Sequence, residues 1–146
     1  EAFTKRILIK GDRLLKVTSS LLALKEAFFL DLFQPDFRCA PVLLDHMHGQ
    51  RASSSEHQSA GERSRRPTWW SAVEMQYLKA RGLEEYLLEV AAESSEDVVG
   101  QLILAALDLL QCLEEHGVKH GDLWAPNLLV DSPAGLPLRL VALDFG

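Results

Sequence analysis

Three oxygen-bearing side chains stand within a short stretch near the C-terminal end of the chain. Asp122 follows His120-Gly121, Asn127 comes five residues later, and Asp144 opens the closing Asp144-Phe145-Gly146. Their types suit one kind of chemistry. A carboxylate such as Asp122 can orient a hydroxyl and take its proton. A carboxamide oxygen and a second carboxylate, from Asn127 and Asp144, are hard ligands suited to a divalent cation. Phosphoryl transfer from a nucleotide needs both functions, a positioned acceptor and neutralised phosphate charge.

The spacing of apolar and turn residues predicts the elements that would position these groups. Residues 3–9 and 14–17 read as two strands around a turn at Gly11-Asp12. Thr18, Ser19 and Ser20 offer helix N-caps. Apolar residues at 21, 22, 24, 28, 29, 32 and 33 then have helical spacing, and Pro35 ends that helix. Residues 40–47 and 69–75 read as strands, and 82–90 as a short helix. Ser95 caps a longer helix with Glu96 and Asp97 in its first turn. Its apolar stripe runs through Val98, Val99, Leu102, Ile103, Ala106, Leu109, Leu110 and Leu113, and Gly117 stands where a left-handed C′ residue belongs. Residues 128–130 and 138–143 read as a hairpin around a turn rich in Pro and Gly. Between these elements, residues 48–67 hold Ser, Arg, Gln, Glu and Gly with almost no large apolar side chain. Such a stretch cannot bury enough to order itself, so a disordered insertion is expected at about 48–67.

In this order and spacing the motifs resemble the protein kinase superfamily. Asp122 and Asn127 match the catalytic-loop pattern H-R-D-x-x-x-x-N with Gly121 in place of the Arg, and Asp144-Phe145-Gly146 matches D-F-G. Both follow an amphipathic helix, the context such motifs require. The resemblance implies an α+β, protein kinase-like fold: a partial N-lobe antiparallel sheet with one helix over residues 1–78, then the start of a helical C-lobe over 79–146. It implies ATP and Mg²⁺ as cofactors, Asp122 as the catalytic residue, and Asn127 and Asp144 as metal ligands. Leu14-Leu15-Lys16-Val17 looks like the V-A-I-K strand, which makes Lys16 the phosphate-binding lysine and Glu26 its ion-pair partner. Leu22-Ala23-Leu24-Lys25 matches those letters more closely, but Lys25 adjoins Glu26 inside the helical period and no Glu follows it before Glu56, so Lys16 is preferred. Gln34-Pro35-Asp36-Phe37 resembles the His-Pro-Asn-Ile turn after the family's N-lobe helix. Glu74-Met75-Gln76-Tyr77-Leu78 resembles the last N-lobe strand and hinge, with Met75 as gatekeeper and the backbone of Gln76, Tyr77 and Leu78 meeting adenine.

The chain also departs from the pattern. No G-x-G-x-x-G precedes Lys16, where Gly11 stands alone, and no activation segment or A-P-E motif follows Gly146. With Glu1 as first residue, the expectation is a fragment that is inactive alone. Gly121 removes the Arg that meets an activation-loop phosphate in many family members, and Trp124 stands where Ser/Thr kinases commonly place a Lys. His-Gly-Asp-Leu-x-x-x-Asn also resembles small-molecule kinases of the same superfold, such as aminoglycoside and fructosamine kinases. The Glu26 helix and Asp-Phe-Gly look more like eukaryotic protein kinases. The leading expectation is ATP-dependent transfer of the γ-phosphate to a protein Ser/Thr hydroxyl. The alternatives are a small-molecule kinase and a pseudokinase scaffold that keeps the fold without turnover.

Composition sets the outer bounds. Of 146 residues, 47% are hydrophobic and 25% charged, which is ordinary for a globular domain. No run of about 18 apolar residues is present, which excludes a membrane-spanning helix, and no basic segment leading into an apolar one opens the chain. Residues 1–70 carry 11 Lys+Arg against 8 Asp+Glu, and residues 71–146 carry 4 against 13. Part of the basic excess is Arg63, Arg65 and Arg66, with no basic face interleaved with aromatics, so no nucleic-acid partner is expected. A protein substrate is the expected partner. Cys39 and Cys112 are too few for a metal site by themselves and read as free, buried thiols. His46, His48 and His57 read as solvated, His120 as support behind the catalytic loop, and Trp69 and Trp70 as one surface and one core residue.

Overall fold

The computed structural model describes residues 5–18, 21–34, 36, 38–51, 68–93, 96–132 and 136–145. Two antiparallel sheets and three helices share one core. Strands β1 (Arg6–Lys10) and β2 (Arg13–Thr18) form a hairpin in which Gly11 takes the left-handed φ of 64° that a two-residue turn needs. Strands β3 (Leu43–Arg51) and β4 (Thr68–Gln76) complete the first sheet in the order β1-β2-β4-β3. Strands β5 (Arg81–Gly82), β6 (Leu128–Asp131) and β7 (Arg139–Ala142) form the second, in that order. Helix α1 (Leu22–Leu32) packs on the first sheet, α2 (Leu83–Glu93) leaves β5, and α3 (Glu96–Glu115) packs on β7.

Helix α1 buries a face other than the one its large residues suggest. Ala23, Glu26, Ala27 and Leu30 point inward, joined by Phe33 just past the helix, while Leu22 and Phe28 are each 61% exposed. The segment is apolar on nearly every side, so periodicity alone does not select a face. The two alanines do, because their small side chains let the helix lie close to β4. The N-cap is Leu21, whose side chain caps nothing; Ser71 of β4 supplies the missing acceptor, taking the Ala23 N–H at 3.2 Å while its hydroxyl meets that of Thr18 at 3.1 Å. Thr18 is thus the last residue of β2 and not a cap, and Ser19 and Ser20 lie outside the described residues.

The first four residues of the stretch read as an insertion, 48–51, belong to a strand. Strand β3 runs through His48, Gly49, Gln50 and Arg51, paired with Ser71, Trp70, Trp69 and Thr68. The Trp70 indole covers Gly49, where an added Cβ would sit 2.8 Å from the ring. Polar composition hides this extension, because one side chain of β4 supplies the packing for a whole strand end. Residues 52–67 of the expected insertion lie outside the described residues.

Helix α3 ends in a Schellman motif: Val118 N–H donates to Leu113 O and Gly117 N–H to Glu114 O, both at 2.9 Å, with Gly117 at φ 65°. Its inward residues Ala105, Leu109, Cys112 and Leu113 join Val73 and Met75 of β4, Leu128 and Val130 of β6, and Leu140 and Ala142 of β7 in one cluster. Cys39 and Cys112 are not free thiols. They form a disulfide with a Cα–Cα distance of 6.0 Å, tying the segment after α1 to α3. The Cys39 carbonyl also accepts the Ala142 N–H at 2.9 Å, and Arg38 bridges Asp36 and Glu115 at 2.6 Å each. Among the described residues no helix is long and apolar enough to cross a membrane.

Candidate functional site

The site starts with Lys16 in the middle of the first sheet, between Ile7 of β1 and Val73 of β4. Its side chain is 12% exposed and its Nζ lies 2.5 Å from Glu26 Oε2. The close approach of α1 makes this possible, since Glu26 shares the buried face with Ala23 and Ala27. Lys16 also donates to Asp144 Oδ1. Burial works against the charge on Lys16, but the carboxylates of Glu26 and Asp144 outweigh it and hold the ammonium above its usual value. For Glu26 burial dominates and pushes the carboxyl up, with Lys16 offsetting it only in part. Burial would also raise Asp144, yet the hydrogen bonds and charges of Lys16 and Lys5 hold it below the usual carboxylate range. Lys25, by contrast, is exposed on α1.

Asp144 has φ 53°, the only positive φ of a non-glycine among the described residues. An Asp tolerates this left-handed geometry better than a bulky residue, and the surroundings impose it. Phe145 is 2% exposed and packs against Phe29, Phe33 and His120 at centroid distances of 5.9, 5.3 and 4.6 Å. The buried ring anchors the chain while the preceding carboxylate turns toward Lys16.

The His120-to-Asn127 loop is tied to that strand end through Leu143. His120 Nε2 donates to Leu143 O at 2.8 Å, and its Nδ1 accepts the Asp122 N–H at 3.4 Å. These two bonds require the neutral Nε2–H tautomer and use both ring nitrogens. His120 therefore supports the loop from behind, in line with its burial. The Leu143 N–H donates to Asn127 O at 2.9 Å. A 3₁₀ turn over Ala125–Asn127, with Pro126 as its second residue, brings the Asn127 side chain back to Asp122, where Nδ2 donates to both the carbonyl and Oδ2 at 3.0 Å.

The hinge candidates form the end of β4 and the residues just after it. Met75 is buried, opposite Leu14 and Leu43; Gln76 is exposed, and Tyr77 and Leu78 are half-buried. The Gln76 N–H is donated to Val42 O at 2.8 Å and the Tyr77 N–H to Asp12 O at 2.7 Å.

No protein-family model matches this chain, and no curated protein matches it by sequence. Comparison with solved structures does find likenesses. The kinase domain of PknI from Mycobacterium tuberculosis superposes with a TM-score of 0.52 over 94% of this chain, at 16% sequence identity. The chain spans about half of that domain, 50% of its length. At this identity the likeness concerns the fold, and it is to a kinase domain.

Lys16, Glu26 and Asp144 thus converge, and Asp122 and Asn127 form a second pair linked to them through Leu143. Gly146 lies outside the described residues. Two members of the neighbourhood were not legible in the sequence. Ser71 acts through a cross-element cap that no local motif announces. Lys5, whose Nζ lies 3.1 Å from Asp144 Oδ2, precedes β1 with no signature of its own; the strand alternation from Lys16's partner Ile7 is the only signal that could have singled it out.

Proposed function

We propose that this chain is the nucleotide-binding part of an ATP-dependent phosphotransferase of the protein kinase type, acting on a protein Ser or Thr hydroxyl. One observation carries the reading: a part-buried lysine held between a helix glutamate and the Asp144 carboxylate, joined through Leu143 to the Asp122–Asn127 pair. The kinase-like fold supports it. The transfer step is proposed for the whole protein of which these elements are part.

In this reading Lys16, oriented by Glu26, binds oxygens of the α- and β-phosphates. The donor set fits a hard divalent cation: Asp144 offers a carboxylate, and Asn127 offers Oδ1 because its Nδ2 is spent on Asp122. Bound there, Mg²⁺ supplies neutralisation of phosphate charge. The Gln76 and Tyr77 N–H groups are engaged within the fold, and adenine would meet the remaining backbone groups of Gln76, Tyr77 and Leu78 beside the Met75 side chain. The acceptor oxygen attacks the γ-phosphorus, the bond to the β-bridging oxygen breaks to release ADP, and the Asp122 carboxylate takes the acceptor's proton. Asn127 holds that carboxylate in place for this role.

The test is Asp122→Asn in the full-length protein. Turnover falls by about 10²–10⁴-fold, while ATP affinity stays within about twofold of wild type, as general-base loss without phosphate loss requires. A variant with wild-type turnover overturns the assignment.

A further inference from the structure

Lys5 has a position that the reading above leaves unused. Its ammonium lies 3.1 Å from Asp144 Oδ2 and 3.4 Å from Oδ1, while Lys16 also holds Oδ1. The register explains the meeting. Ile7 is the cross-strand partner of Lys16, so the two share a face of the sheet, and Lys5, two residues before Ile7, shares it too. The Lys5 and Asp144 side chains are 45% and 41% exposed. A pair this open adds little to folding stability. Lys16 differs, being far less exposed and fixed by Glu26. Together Lys5 and Lys16 match the charges of Glu26 and Asp144, so these four side chains carry no net charge among themselves.

We infer that Lys5 is a second phosphate-binding cation of this site, which contacts Asp144 in this structure and would transfer to a nucleotide phosphate oxygen when a divalent cation takes up that carboxylate. The inference rests on the nucleotide-site reading and names a residue that reading does not need. A mobile ammonium on an exposed stem suits the role, because it can exchange one oxyanion for another with little rearrangement. Its ligand is the charged phosphate chain and not the base or ribose.

The experiment compares ATP and adenosine binding, with Mg²⁺ present, by calorimetry on wild type, Lys5→Ala, Lys5→Arg and Lys16→Ala. Lys5→Ala raises the Kd for ATP roughly tenfold, the loss of one charge-assisted contact, leaves adenosine unchanged, and Lys5→Arg restores most of the ATP affinity. ATP affinity unchanged in Lys5→Ala while Lys16→Ala abolishes it overturns the role of Lys5 alone. Equal weakening of ATP and adenosine also overturns it, because that pattern reports a folding defect. Wild type that binds neither ligand, or Lys16→Ala that binds ATP normally, removes the nucleotide site itself and Lys5 with it.

Discussion

Glu26 and Asp144 both face Lys16, yet their surroundings drive them apart. Glu26 is buried and its carboxyl is pushed up; Asp144 is half-buried, which would raise it, but it meets two ammonium groups and is held down. The consequences for stability have opposite signs. A carboxyl raised in the folded state favours folding below its unfolded value of 4.5, and that contribution is lost as pH rises through the folded value. A carboxyl lowered in the folded state contributes above its unfolded value of 3.8, and that contribution is lost as pH falls through the folded value. Asp144→Asn removes the second contribution and, with it, the smaller push that the Asp144 charge gives the Glu26 carboxyl. Its melting temperature therefore falls less steeply than that of wild type between about pH 5 and about pH 3. Solvent screening keeps the difference small, and identical slopes would contradict the ion-pair role. At this scale much was legible. The choice of Lys16 over Lys25 rests on where a helical glutamate can stand, and the structure puts Lys16 against Glu26 and Lys25 in solvent. Lys5 was not legible, because its significance lies in a contact with a residue 139 positions away.

Elements are recovered better than their faces. The strands, the three helices and the closing hairpin fall close to where periodicity and turn residues put them, but β5, two residues long, carries no pattern to read. Helix α1 shows the deeper limit. Its large apolar side chains are spread around the axis, and the buried face joins Leu30 to two alanines and a glutamate, a set that a hydrophobicity pattern does not single out. The cysteines show another. With only two, pairing is decided by the packing of α3 against the segment after α1, and separation along the chain says nothing about it. Because the bond closes a loop of 73 residues, replacing both cysteines by serine destabilises the domain by about 4 kcal/mol on the loop-entropy estimate. Chemical denaturation of the double variant beside wild type under non-reducing conditions reads this directly. Two reactive thiols in unfolded, unreduced wild type would contradict the bond.

Across the whole molecule, one core joins the two sheets. Phe145 and Phe33 sit among residues of both sheets, so the Asp144 carboxylate is placed by the same packing that seats α1. One side is different. Val99, Ile103, Leu104, Leu107 and Leu110 of α3 are each more than half exposed, and among the described residues nothing covers them. The sequence stripe on α3 mixed this open face with the buried one, since both are apolar and periodicity cannot tell a core contact from an uncovered surface. The motifs near the C-terminal end stand out in the sequence because, in the proposed reading, phosphoryl-transfer chemistry would restrict residue type and spacing together. The supporting shell was not, because packing contacts can be met by many sequences.

Lys16, Glu26 and Asp144 are proposed to form one nucleotide site with the loop of Asp122 and Asn127. Titrating ATP with Mg²⁺ into wild type and Lys16→Ala by isothermal calorimetry tests it most directly. The account predicts saturable binding at one site in wild type and its loss in the variant. Equal affinity in the two proteins would contradict it.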